Sequence, residues 1–148
     1  MGVRRKAREV AFQFLYGIES GRKDVSQTFR EFPGQRKEKP VVKDFASGLV
    51  KGVCENLERI DKMLAECSIN WLPARMTPVD RNIMRIAIYE LTCCDTPPAV
   101  VIDEAIEIAK KFGTEKSGKF VNGILDCVRK KGDRLLPAAS NGESALKE

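Results

Sequence analysis

The chain has 148 residues, and its 26 Lys and Arg side chains outnumber its 21 Asp and Glu side chains, which gives a formal charge of +5. This length suits one domain, or two small lobes that share a core, and excludes a large multidomain enzyme. The chain contains no histidine, which excludes Ser-His-Asp and Cys-His catalytic systems and leaves only Cys, Asp and Glu as ligands for a zinc ion.

The N-terminal segment has helical periodicity. Apolar residues recur at three- and four-residue steps over residues 3–18, which predicts an amphipathic helix ended by Gly21. Residues 25–32 are compatible with a short helix. The charged segment 33–40, bounded by prolines, is typical of an exposed loop.

A second pattern of apolar residues, from Val42 to Cys67, predicts one long helix. Gly48 and Gly52 lie four residues apart on it. They either admit the close approach of another helix or only weaken this one.

Three more helices follow. Thr77, Pro78 and Asp80 form a helix start, and the helix that they open is apolar on nearly every side, which predicts a buried central position. Another helix runs from Val100 to Phe112, and Ser117 caps the last one. We predict an all-α protein of about six or seven helices, with a domain over residues 1–136 and a disordered tail over residues 137–148.

The spacing of the five cysteines matches neither a disulfide framework nor a metal-binding motif. Their number is odd, and no C-x-x-C pair is present, which favours neither a disulfide framework nor a metal site. We interpret adjacent Cys93 and Cys94 as small hydrophobic residues near a helix end. We expect a reducing, cytoplasmic location, no membrane contact, and neither a metal nor a cofactor.

The first candidate site is the basic cluster at the N-terminus. Its members are Arg4, Arg5, Lys6 and Arg8. Beside them, Phe12 and Tyr16 point away from the apolar stripe, and Tyr16, with its polar tip, is expected at the surface. This pattern indicates either a nucleic-acid surface that binds phosphates and stacks bases, or a solvated basic helix end.

The second candidate site is a loop that leads into the last helix. The free N–H groups of a helix start favour anions, and polar and aromatic side chains accompany them at Lys116, Ser117, Lys119, Phe120 and Asn122. The segment lacks the spacing of a phosphate-binding P-loop, which argues against nucleotide hydrolysis. Phe120 is either a core residue or a stacking platform.

The third candidate site consists of Arg75, Asp80, Arg81 and Arg85. Arg81 and Arg85 share a helix face, which is either a protein-docking edge or an ordinary charged rim. By contrast, the acidic residues Asp103, Glu104 and Glu107 are interpreted as a solvated face near a helix N-terminus.

Several segments resemble the NusB family of transcription antitermination factors. The matching segments are Arg4–Tyr16 (RRKAREVAFQFLY), Phe45–Val53 (FASGLVKGV), Val79–Leu91 (VDRNIMRIAIYEL), Ala105–Gly113 (AIEIAKKFG) and Phe120–Asp126 (FVNGILD). They occur in the family's order and cover most of residues 4–130.

The resemblance implies two small helical bundles and a role without catalysis. It implies pairing with NusE, a ribosomal protein that doubles as a transcription factor, on single-stranded boxA RNA, where the pair helps RNA polymerase escape premature termination, notably on ribosomal RNA operons. It also implies RNA contacts by the first two clusters, from Arg4 to Tyr16 and from Lys116 to Phe120, and NusE docking by the third.

Two alternatives remain from the sequence. One is the NusB-like RNA-binding module of a ribosomal RNA cytosine methyltransferase, without its catalytic domain. The other is a helical adaptor that self-associates, for instance as a homodimer, and does not bind RNA.

Overall fold

The computed structural model describes residues 2–19, 38–68 and 76–131. Within these residues the chain forms six helices and no strand, which confirms the predicted all-α class. The helices are α1 (Gly2–Glu19), α2 (Pro40–Glu55), α3 (Leu57–Glu66), α4 (Pro78–Cys93), α5 (Pro98–Phe112) and α6 (residues 117–131). The possible helix at residues 25–32, most of the loop at 33–40 and the tail at 137–148 lie outside the described residues.

The predicted long helix is divided in two. Asn56 interrupts it with φ −118° and ψ 17°, and its side-chain Nδ2 donates to the carbonyl oxygen of Gly52 at 2.8 Å. An Asn side chain competes in this way for backbone groups, which favours a break over a continuous helix. The apolar pattern continues across the break because α2 and α3 both turn their apolar faces to the core.

α4 is the central helix, as its sequence predicts. It packs against α1, α2, α3 and α5, and Thr77 caps its start by accepting a hydrogen bond from the Asp80 backbone N–H at 3.1 Å. The Tyr89 ring of α4 lies directly over Gly52 of α2, where a Cβ would overlap it, whereas Gly48 faces open space. Close approach of another helix is therefore confirmed for Gly52 alone.

The turn between α5 and α6 differs in detail from the prediction. Gly113 ends α5, but Ser117 is already helical and does not cap α6. Its Oγ instead accepts a hydrogen bond from the Thr114 backbone N–H at 3.0 Å, and it is buried. A side-chain hydroxyl that bonds to nearby backbone stabilises this turn in the same way that a cap would.

The prediction that the cysteines form no disulfide is wrong. Cys67 at the end of α3 is bonded to Cys127 of α6, with their Cα atoms 5.8 Å apart across 60 residues of sequence. Cys93 and Cys94 do lie at a helix end, but both are exposed, so they are not core residues. Among the helices of residues 2–19, 38–68 and 76–131, none combines the length and the hydropathy of a membrane span.

Candidate nucleic-acid interface

The exposed part of α1, here called its outer face, carries two accessible cations and an aromatic ring. Arg4, Lys6 and Tyr16 are exposed, while most of the residues between Ala7 and Leu15 are buried. The guanidinium of Arg4 lies 4.7 Å from the centroid of the Phe45 ring, and Nζ of Lys6 lies 3.9 Å from a carboxylate oxygen of Glu38. Neither contact removes the cation from solvent, so both can reach an anion.

Arg8 lies inside the protein. Only 4% of its surface is exposed, and its Nε and Nη2 donate to the two carboxylate oxygens of Glu90 at 2.6 and 2.9 Å. Burial alone would lower the pKa of Arg8, but the hydrogen bonds and charge of Glu90 raise it above the ordinary value. The pair therefore stays ionised and joins α1 to α4. The basic cluster in the sequence suggested that Arg8 faces solvent, and the structure shows that it does not.

Arg5 is intermediate between the exposed Arg4 and the buried Arg8. Its Nε and Nη2 donate to the two carboxylate oxygens of Glu104 on α5 at 2.6 and 2.8 Å, and Nη1 of Arg8 lies 3.4 Å from the same carboxylate. The hydrogen bond from Arg5 lowers the pKa of Glu104. Glu90, Arg8, Glu104 and Arg5 thus form a row of alternating charges that runs from the core to the surface.

The interpretation of Glu104 as a solvated acid is wrong. Its carboxylate binds an arginine 99 residues away in sequence, and helical spacing within α5 gives no sign of such a partner. The acidic pattern itself is real, since its neighbours Asp103 and Glu107 are exposed.

Three aromatic rings connect α1 with the end of α5. Phe12 is buried, and its ring centroid lies 5.2 Å from that of Phe112 and 6.1 Å from that of Tyr16. Tyr16 is 43% exposed, which confirms that it, and not Phe12, reaches the surface. Phe112 was not singled out from the sequence because its position beside Gly113 indicated only a helix end.

The second cluster lies at the start of α6. Lys116, Lys119 and Asn122 are exposed, whereas Ser117 is buried and Phe120 is half-buried against the core. Three of the five predicted residues thus face solvent within residues 116–122.

The first two clusters lie on connected elements. Nζ of Lys111 in α5 lies 3.0 Å from a carboxylate oxygen of Glu9 in α1, next to the contact between Phe12 and Phe112. The chain continues from there through Gly113 into α6. The end of α5 therefore links the outer face of α1 to the start of α6, a proximity that sequence reasoning did not predict.

The third cluster fastens the C-terminal end of α1. Arg81 is buried and bonded to Glu19, and Arg85 donates to both carboxylate oxygens of Asp61 in α3 at 2.9 and 2.8 Å. Burial alone would raise the pKa of Glu19, but the hydrogen bonds from Arg81 and Asn82 lower it. These ion pairs hold α1, α3 and α4 together.

Two other members of the third cluster differ in their placement. Asp80 is buried, and its Oδ1 has no hydrogen-bond partner among the described residues. Arg75 lies outside the described residues. Across the described ranges, no group of three Cys, Asp or Glu side chains is placed to hold a metal ion.

Comparisons with known proteins agree on one family. The NusB family model matches residues 5–130. The transcription antitermination protein NusB of Trichlorobacter lovleyi is 47% identical over 127 residues, which cover 85% of this chain and 89% of the relative. Its counterpart from Anaeromyxobacter dehalogenans is 43% identical over 145 residues, or 95% of this chain and 96% of the relative.

Known structures give the same result. T. maritima NusB superposes with a TM-score of 0.79 at 42% identity, covering 86% of this chain and 91% of that one. A chain from the crystal structure of antitermination factors NusB and NusE in complex with dsRNA superposes with a TM-score of 0.77 at 29% identity, covering 88% and 98%.

Proposed function

This chain belongs to the NusB family, and on that premise we propose that it is a transcription antitermination factor that binds RNA together with NusE. The observation that carries the proposal is the exposure of Arg4, Lys6 and Tyr16 on α1, together with that of Lys116, Lys119 and Asn122 at the start of α6. Cations for phosphates and a ring for bases are the two components of a surface for unpaired RNA. The protein acts in the cytoplasm as part of the RNA polymerase antitermination complex.

The residues of the proposed RNA site contact different parts of the RNA. Arg4, Lys6, Lys116 and Lys119 bind backbone phosphates, since they are the exposed cations of the two candidate clusters. Tyr16 stacks on a base, and Asn122 is placed to bond to a base edge. Recognition on this surface requires no covalent step, so the proposal assigns no enzymatic activity.

Arg8 and Ser117 support this surface from beneath. Each is at least 96% buried, at 4% and 3% exposure, and each is hydrogen-bonded within the protein. We assign them to the shape of the site, with direct RNA contact left to their exposed neighbours. Phe120, half-buried at the start of α6, supports the same surface.

We place NusE on the edge formed by Asp80, Arg81 and Arg85, with Arg75 beside it in sequence. The guanidinium groups of this edge are already paired with Glu19 and Asp61. We therefore expect NusE to recognise the fixed shape of this edge more than its charge. Binding of NusE and binding of RNA should strengthen each other, since such coupling is reciprocal.

The test is a titration of fluorescently labelled single-stranded boxA-type RNA, with scrambled and double-stranded RNA as competitors, in the presence and absence of NusE. With four phosphate contacts, or five if Arg5 adds one, log affinity should fall with log salt at a slope of about −3 to −3.5. The Arg4→Ala/Lys6→Ala double variant should bind more weakly, and its slope should be shallower by about 1.4.

The matched control is the Lys51→Ala/Lys62→Ala double variant. Both of its lysines are exposed on α2 and α3, and it removes the same charge from a different surface. It should retain the affinity and the slope of the parent protein. Equal losses in the two double variants, or none in the first, would contradict the proposed RNA site.

A further inference from the structure

Glu104 is the residue that connects the two arginines of the charged row. It accepts both hydrogen bonds of Arg5 and lies 3.4 Å from Nη1 of Arg8. Arg8 is in turn held by Glu90, which is 1% exposed. The position of the Glu104 carboxylate is therefore fixed from the core and not by solvent.

Arg5 is held by one edge of its guanidinium only. Glu104 takes the edge formed by Nε and Nη2. Among the described residues no acceptor contacts Nη1, and 31% of the Arg5 side chain is exposed. The outer edge, formed by Nη1 and the second N–H of Nη2, has the fork geometry that binds two oxygens of a phosphate.

We propose that Glu104 is a positioning residue for RNA binding, which holds Arg5 so that the outer edge of its guanidinium faces a backbone phosphate. This inference rests on the proposed function. A long side chain that is ordered before binding loses less conformational entropy when it binds its ligand. The ion pair with Glu104 provides that order at the border of the outer α1 face.

Charge and positioning act in opposite directions here. A carboxylate close to a phosphate repels it, so removal of negative charge from α5 should by itself strengthen RNA binding. Removal of the paired hydrogen bonds between Glu104 and Arg5 should weaken RNA binding, because Arg5 then samples many rotamers. The sign of the effect therefore separates a positioning role from a purely electrostatic one.

Glu107 provides the matched control. It lies one turn further along α5, its side chain is 51% exposed, and its nearest cation is Lys110 at 3.6 Å. Its charge acts on Arg5 without a hydrogen bond. Glu107→Gln and Glu104→Gln thus remove the same charge near Arg5. Only Glu104→Gln also disrupts the paired hydrogen bonds to Arg5.

The experiment measures the affinity of the full-length variants for single-stranded boxA-type RNA with NusE present. Glu107→Gln should bind as tightly as the parent protein or up to about threefold more tightly. Glu104→Gln should bind about tenfold more weakly, the size of effect expected for loss of one well-oriented charged hydrogen bond. Arg5→Lys, which keeps the charge but cannot form a fork, should lose a similar amount.

A double variant shows whether Glu104 acts through Arg5. In the Arg5→Ala background, Glu104→Gln should cause no further loss. Equal affinity of Glu104→Gln and Glu107→Gln, or a further loss in the Arg5→Ala background, would overturn the inference. If the Arg4→Ala/Lys6→Ala variant still binds weakly in that case, the proposed RNA site stands and only the role of Glu104 fails.

Discussion

Arg4 and Arg8 are one helical turn apart on α1 but lie in opposite environments. Arg4 is exposed over the ring of Phe45, whereas Arg8 is buried in a two-point ion pair with Glu90. Removal of one member of a buried pair leaves the other as an uncompensated charge. The two arginines should therefore respond very differently to the same substitution.

Arg8→Ala should lower the free energy of unfolding by about 3–5 kcal/mol, because Glu90 is left buried without its partner. Arg4→Ala should lower it by at most about 1 kcal/mol, the value of an exposed cation–π contact. Urea denaturation followed by circular dichroism measures both. Similar losses in the two variants would mean that the Arg8–Glu90 pair does not exist as described.

The ion pairs of Glu19 and Glu104 predict how stability depends on pH. The pKa of each carboxyl is lowered from its ordinary value of 4.5 in the folded protein. Below pH 4.5 the unfolded chain binds protons that the folded chain does not, so the stabilisation is fully present above this pH and is lost as the pH falls.

Glu104→Gln should flatten the loss of stability in acid, because the substituted side chain no longer titrates. Denaturation midpoints measured between neutral pH and about pH 3 test this, in the range where a lowered carboxyl pKa acts. Glu107→Gln serves as the control and should leave most of the slope intact. If stability depends on pH in Glu104→Gln as it does in the parent protein, the lowered pKa of Glu104 is contradicted.

At the scale of the helices, α2 and α4 approach each other closely at Gly52. Gly52→Ala should lower the free energy of unfolding by about 1–3 kcal/mol, since its Cβ would overlap the ring of Tyr89. Gly48→Ala, on the same helix but in open space, should raise it by up to about 1 kcal/mol through helix propensity. Thermal melts of the two variants give the comparison. A stabilising Gly52→Ala would rule out the close approach.

The disulfide fastens α6 to the end of α3. Reduction should lower the free energy of unfolding by about 4 kcal/mol, as chain-entropy arguments give for a closed loop of this size; the bond spans 60 residues. Urea denaturation with and without a thiol reductant measures this difference. The Cys54→Ser variant keeps the bond and should respond to reductant like the parent. Cys127→Ser should show no response, and a response there would point to another cause.

Local sequence signals predicted the helices well where they lie within one element. Thr77 and Pro78 mark the start of α4, and the apolar character of that helix on all sides predicts its central position, because both signals arise from neighbouring residues. The division at Asn56 was missed, since the apolar pattern continues through it. The bond between Cys67 and Cys127 was missed for another reason: it joins distant positions, and spacing along the chain carries no information about it.

At the scale of the whole molecule, the candidate site was only partly predictable. The basic cluster was visible as charge density, and the exposure of Tyr16 followed from its polar tip, which distinguishes it from Phe12. The partition of its arginines into outward and inward groups depends on Glu90 and Glu104, which come from α4 and α5. The link from α1 through Phe112 to α6 likewise exists only after folding.

The proposed function concentrates RNA binding on α1 and the start of α6. The outer face of α1 and the start of α6 supply the cations and the ring, whereas α2 and α3 carry acidic and basic residues interspersed, such as Lys43, Asp44, Glu58 and Arg59. A surface of mixed sign attracts a polyanion much less than one lined by cations. The path of the RNA over the protein is therefore the central claim.

A crosslinking map tests this path directly. Single-stranded boxA-type RNA carrying photoreactive uridines is irradiated with the full chain and NusE, and the crosslinked peptides are identified by mass spectrometry. We expect crosslinks within residues 4–16 and 116–122. Crosslinks confined to α2 and α3, with none on α1, would contradict the account.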